Sequence, residues 1–131
     1  MTGGSMNITR TAISLNVADI AASASFAITQ FGYQEEMAAD GFISLTHPSI
    51  GGNLIFLETG LSTFRPAEIA GPAGQGLLLV FVVDDLDEQF ARIAASGARV
   101  VTEPETEPWG ERYCQFADPN GIIWQLVQWV D

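Results

Sequence analysis

Apolar positions along this chain follow a helical rhythm in two places and a strand-like rhythm around them. After Ile20, apolar residues recur at Ala24, Ala27, Ile28 and Phe31. After Leu86 they recur at Phe90, Ile93 and Ala94. Both series keep the i, i+4, i+7, i+8 spacing of one helical face. Each begins at a similar tetrad, Val17-Ala18-Asp19-Ile20 and, half a chain later, Val83-Asp84-Asp85-Leu86. Asp19 and Asp85 are the expected N-caps, and Gly32 and Gly97 the expected C-terminal stops.

Strand-like stretches follow each helix. They are Gln34–Met37, Phe42–Thr46 and Asn53–Glu58 in the first half. In the second they are Arg99–Thr102, Tyr113–Ala117 and Ile122–Trp129. Turn residues precede each last strand, in Pro48-Ser49-Ile50-Gly51-Gly52 and in Asp118-Pro119-Asn120-Gly121. The order is strand–helix–strand–strand–strand, twice over. Thr59–Gly76, rich in Gly and Pro, reads as the linker between the halves. The apolar run Leu77–Val83 after it predicts a strand covered on both faces.

Composition narrows the chemistry. The 131 residues are 47% hydrophobic, which makes one core-forming domain rather than a disordered chain. Net charge is -11, and all five bases are arginines: Arg10, Arg65, Arg92, Arg99 and Arg112. Without lysine there is neither Schiff-base chemistry nor a P-loop lysine. Such acidity disfavours nucleic acid and anionic membranes and favours cationic small molecules. No apolar run approaches the roughly 20 residues of a membrane span, and no secretory signal opens the chain. One cysteine, Cys114, gives no intrachain disulfide, so a cytoplasmic protein is expected. Residues 1–6 read as a flexible leader or tag remnant, and 7–131 as a single domain. Its two modules span about 7–60 and 76–131.

The second half carries Pro108-Trp109-Gly110-Glu111-Arg112, then Phe116-Ala117-Asp118-Pro119-Asn120-Gly121. With the tandem repeat and the Val-Ala-Asp and Val-Asp-Asp strand ends, these segments resemble the vicinal oxygen chelate superfamily. That superfamily holds glyoxalase I, extradiol dioxygenases and bleomycin-resistance proteins. The resemblance implies an α+β fold of two tandem βαβββ modules, each a cup-shaped mixed sheet with its helix packed outside. In metal-dependent members one ligand stands on the first strand and one on the last strand of each module. Carried over, those positions are Ala12, Glu58, Leu78 and Gln125. Alanine and leucine cannot ligate, and one carboxylate with one amide does not hold Zn, Ni, Fe or Mn. The expectation is therefore no metal, no cofactor and a likeness closest to the metal-free bleomycin-resistance branch. That branch sequesters drugs in grooves shared by two chains, so a homodimer is implied.

If the ligand positions face inward, strand parity places Ala12, Ser14 and Asn16 on the inner face. It adds Leu54, Phe56 and Glu58, then Leu78, Val80 and Val82, then Ile123, Gln125 and Val127, with Tyr113 and Gln115 from the strand before. The candidate ligand-binding residues are Phe56, Glu58, Trp109, Tyr113, Gln125 and Trp129; no catalytic residue is assigned. Glu58 either pairs with a cationic ligand, acts as a general base, or stands solvated or paired with an arginine such as Arg112. Trp109 either stacks on a ligand or plugs an apolar contact. Trp124 has core parity. His47 is expected at an exposed turn, Cys114 in the core, and Glu103–Pro108 as an acidic surface loop. Two functions follow as expectations. One is a binding protein for a cationic or planar aromatic molecule, of the drug-sequestering type. The other is a lyase, isomerase or dioxygenase of the same fold.

Overall fold

The computed structural model of the chain describes residues 6–73 and 75–130. Of the expected leader only Met6 falls within them; its other residues, Gly74 and Asp131 lie outside.

The first module runs β1 (Ala12–Val17), α1 (Ile20–Phe31), β2 (Gln34–Ala39), β3 (Phe42–Thr46) and β4 (Asn53–Glu58). The second repeats the order as β5 (Leu79–Val82), α2 (Leu86–Ala95), β6 (Arg99–Thr106), β7 (Glu111–Ala117) and β8 (Ile123–Trp129). Two four-stranded sheets result, ordered β1-β4-β3-β2 and β5-β8-β7-β6. In each, the first strand pairs parallel with the last and the other pairs are antiparallel. This is the tandem βαβββ, α+β fold the sequence predicts.

Local chemistry explains the helix ends. The Asp19 carboxylate accepts the Ala22 N–H at 3.2 Å, so it caps α1. Gly32 ends the helix with φ 76°, a left-handed conformation that glycine adopts without a Cβ penalty. Asp85 departs from expectation: its side chain accepts no cap bond from the α2 backbone. Gln128 on β8 caps α2 instead, accepting the Leu86 N–H at 3.0 Å, while Asp85 accepts Gln89 Nε2 at 2.9 Å.

One core crosses both modules. Leu15, Val17, Ala24, Ala27, Leu45, Leu54 and Phe56 pack with Leu79, Ile122 and Trp124 of the other module. Helix α1 carries no charged residue and presents Phe26 and Phe31 to this junction. Trp124 is fully buried there, stacked on Phe81 at 5.7 Å and tilted against Phe31 at 4.8 Å. The helix faces of both sheets share this core, so their opposite, concave faces point away from it.

The Asp118-Pro119-Asn120-Gly121 turn fastens the modules together. Asp118, 4% exposed, accepts from Ser23 Oγ, Trp124 Nε1 and the backbone N–H groups of Asn120 and Ile122. Asn120 Nδ2 donates to the Asp19 carbonyl and to Ser23 Oγ. Four donors around one buried carboxylate offset its desolvation.

Two strand expectations change. Strand β6 continues to Thr106, through the stretch expected as an acidic loop. Pro104 is tolerated because β6 is an edge strand whose register slips between Thr102 and Glu105. The run Leu77–Val83 is not covered on both faces: Leu78, Val80 and Val82 are 46%, 48% and 65% exposed.

Candidate functional site

The concave face of the second module is built by alternation. Val80 pairs with Gln125 and Val82 with Val127 across β5 and β8. Gln115 pairs with Gln125, Tyr113 with Val127 and Glu111 with Trp129 across β7 and β8. Paired neighbours share a face, so Gln125, Tyr113 and Trp129 stand together on the concave side, as do Val80 and Glu111. A chain of side-chain bonds crosses this floor: Thr102 Oγ1 donates to Gln115 Oε1, and Gln115 Nε2 to Gln125 Oε1, both at 2.7 Å. The Gln125 carbonyl is thus engaged, and its amide nitrogen remains as a donor.

The rim is aromatic and acidic. Pro108-Trp109-Gly110 is the β6–β7 turn, closed by Gly110 N–H on the Glu107 carbonyl and Glu107 N–H on the Glu111 carbonyl. Gly110 takes φ 91° there, a value a side chain would strain. The turn holds Trp109 out, 65% exposed, with its Nε1 donating to Glu111 at 3.0 Å. Trp129, opposite Glu111 in the ladder, is 60% exposed. The Tyr113 hydroxyl donates to Glu105 at 3.0 Å, and this bond holds its pKa above the usual tyrosine value.

The first module's concave face differs. Ser14 pairs with Ile55 and Asn16 with Leu57 across β1 and β4. The linker folds over them: Asn16 Nδ2 donates to the carbonyls of Ile69 and Gly71, and the Asn16 carbonyl accepts the Ala73 N–H. Phe64 is buried beneath this strap, beside a cavity of about 550 Å³ that Ser14, Asn16, Leu57 and Arg65 help to line.

Two candidates move off the expected inner face. Leu15 pairs with Phe56 and Val17 with Glu58, so these share the helix side of the sheet. Phe56 is fully buried in the core, and Glu58 stands exposed at the strand end on that same parity. Ile55 and Leu57 occupy the concave positions instead. Asn53–Glu58 is apolar at both parities over Leu54–Leu57, so alternation alone carried no signal there. Of the alternatives for Glu58, the pair with Arg112 does not form and the solvated position agrees with its exposure. Arg112 pairs with Asp87 at 2.6 Å, and its guanidinium holds the Asp87 carboxyl below the usual aspartate range.

His47 is also not a free turn residue. It is partly buried, with Nε2 bonded to the Phe31 carbonyl at 2.6 Å and Nδ1 accepting the Ser49 N–H at 3.1 Å. Those contacts make Nε2 the donor and Nδ1 the acceptor of the ring. Cys114 lies in the core, and burial pushes its thiol up to about 11, far from thiolate chemistry at neutral pH.

A metal fits neither concave face. At the positions carried over from metal-dependent members stand Ala12, Leu78 and Gln125, with Leu57 where the register replaces Glu58. One amide among three aliphatic side chains is no ligand set. Among the described residues no three His, Cys, Asp or Glu side chains gather as metal ligands would.

The sequence matches the family model of the Glyoxalase/Bleomycin resistance protein/Dioxygenase superfamily over residues 8–126, and the chain belongs to that superfamily. Its fold is similar to a glyoxalase/bleomycin resistance protein/dioxygenase from Nocardioides, at TM-score 0.78 and 25% identity, covering 98% of this chain and 87% of that one. It is similar to TnmS3, an antibiotic binding protein from Streptomyces sp. CB03234, at TM-score 0.72 and 23% identity, covering 95% and 99%. It is equally similar to a lactoylglutathione lyase from Agrobacterium tumefaciens, at TM-score 0.72 and 21% identity, covering 90% and 91%. Uncharacterized relatives from Mycobacterium bovis and Mycobacterium tuberculosis are 42% identical over 55 residues. This chain spans only 36% and 32% of their lengths. Among the described residues no helix is long and apolar enough to cross a membrane.

Proposed function

We propose that the protein is a metal-free small-molecule binding protein of the bleomycin-resistance type, which holds a cationic or planar aromatic ligand without changing it. The observation that carries this is the second module's concave face: an amide floor, an aromatic rim of Trp109, Tyr113 and Trp129, and Glu105, Glu107 and Glu111 around them. Aromatic faces and carboxylates attract cations together, and the net charge of -11 adds a long-range pull. The likeness to an antibiotic binding protein agrees with this reading, although at that identity it speaks for the fold alone.

The proposal includes a homodimer. Strands β1 and β5 end their sheets unpaired, and Ile13, Leu78, Val80 and Val82 stand exposed along them. Apolar edges of this kind call for a cover. A second copy laid on them would set the Ser14–Asn16 face of one chain beside the Gln125 face of the other. The ligand would then be shared by two chains.

Titration with proflavine, a planar cationic dye, tests the site. Saturable quenching of tryptophan emission is expected, weakened about tenfold in Trp109→Ala, since a stacking contact contributes on the order of 1–2 kcal/mol. Raising salt should weaken it further. No quenching and no thermal shift across a panel of such compounds would overturn the binding role. Turnover of a glyoxalase or dioxygenase substrate would put the enzymatic reading in its place.

A further inference from the structure

We infer that the chain carries a second small-molecule site, on the helix side of the sheets, which takes an amphiphilic carboxylate. A cavity of about 440 Å³ lies where the end of α1 meets α2 and β5, within the about 300–1,000 Å³ range of small-molecule sites. Phe31, Ile50, Phe81, Val83, Ile93 and Leu126 give it one apolar wall, and polar side chains, Gln30, His47, Ser49 and Gln89 among them, line the rest. Phe81 and Leu126 stand on the face opposite the concave floor, and of the concave-parity residues only Val82, at the β5 edge, reaches this cavity among the described residues.

The charged group on this cavity is Arg92. Arg10 and Arg112 pair with carboxylates, Glu36 and Asp87. Arg92 is held by neutral partners only: its Nε donates to Gln89 Oε1 at 2.9 Å, and its terminal nitrogens to the Gln30 carbonyl at 2.7 Å and Gln30 Oε1 at 3.4 Å. A guanidinium has five N–H donors, so two remain after these contacts. The Gln89 and Gln30 bonds fix the fork, which lowers the entropic cost of engaging a carboxylate. An apolar wall beside one exposed guanidinium, held by Gln30 and Gln89 and without a carboxylate partner among the described residues, complements a ligand with an apolar body and one anionic head. The ligand charge is opposite to that proposed for the concave face, and the two sites stand independently.

Matched probes test the sign of the head group. Isothermal titration with octanoate and with octylammonium compares the same tail under opposite charges. Saturable octanoate binding at one site per chain is expected, with octylammonium at least tenfold weaker there. Arg92→Gln should lose at least tenfold in octanoate affinity, and Arg92→Lys should keep part of it. If Arg92→Gln fails to fold through loss of the α1 contact, Ile50→Glu serves instead. Ile50 is exposed in the β3–β4 loop, and a carboxylate there should repel octanoate to the same extent. Trp109→Ala should leave octanoate binding unchanged. Unchanged octanoate binding in a folded Arg92→Gln or in Ile50→Glu, loss in Trp109→Ala, or no saturable octanoate binding would each overturn the assignment.

Discussion

The two modules share one topology and treat their concave faces in opposite ways. In the first, Asn16 ties the linker down across the β1–β4 face, and Phe64 is buried under it. In the second, nothing of the described chain straps the face: Trp109 and Trp129 stand out at its rim and three carboxylates surround it. A repeat fixes the cup, and the side chains on it then decide whether the cup is filled from within the chain or left open. The helices divide in the same way. Uncharged α1 is sunk in the shared core, whereas α2, with Asp87, Glu88 and Arg92, is amphipathic, packs on its own sheet and meets α1 through Arg92 and the Phe26 and Phe31 rings.

The largest effect is expected where the modules join. Asp118→Ala removes the acceptor for Ser23 Oγ and Trp124 Nε1 and strands both donors in the core. A loss of about 3 kcal/mol in urea denaturation is expected. A loss within about 0.5 kcal/mol would mean the turn does not lock the modules. Asn16→Ala should cost less, about 1 kcal/mol, and act on the first cup only. Limited proteolysis would then cut faster within Thr59–Ala73. Equal protection of the linker in both proteins would show that Asn16 is not what holds the strap.

Smaller still is the alkaline response of Cys114. Its folded thiol, raised to about 11, stays protonated in a range where the unfolded thiol ionises. The unfolded chain therefore binds fewer protons there, and stability falls as pH rises from about 9 towards 11. The slope should be shallower in Cys114→Ala, measured by urea midpoints across that range. At pH 8 a thiol reagent such as Ellman's should react only after unfolding. Rapid labelling of the folded protein would contradict the core placement.

Much of this comparison was legible in the sequence. The tetrads Val17–Ile20 and Val83–Leu86 announced the repeat, and the helical spacing after each located α1 and α2. The Asp118–Gly121 turn stood out as a motif, but its role could not be read. Its carboxylate meets Ser23, ninety-five residues away, and only the fold brings them together. On β8, taking the carried-over position Gln125 as inward-facing put Gln125 and Trp129 on the concave face with Trp124 beneath, and the β5–β8 and β7–β8 ladders agree. On β4, four apolar residues in a row hide the parity, so Phe56 and Glu58 were read onto the wrong face. The linker strap left no pattern, because one asparagine amide meeting two backbone carbonyls has no sequence period. His47 was likewise read as an exposed turn residue, since its partners are a distant helix-end carbonyl and a local backbone N–H.

The central claim is that this member of the superfamily binds its ligand without a metal, in a cup completed by a second copy. Native mass spectrometry of the protein alone and with added Zn, Ni, Mn or Fe(II) tests it most directly. The predicted result is a dimer whose mass does not change with any of the metals. Stoichiometric metal uptake would contradict the account, because it would require ligands that Ala12, Leu57, Leu78 and Gln125 do not supply. A monomer at micromolar concentration would contradict its other half, leaving the edges of β1 and β5 uncovered.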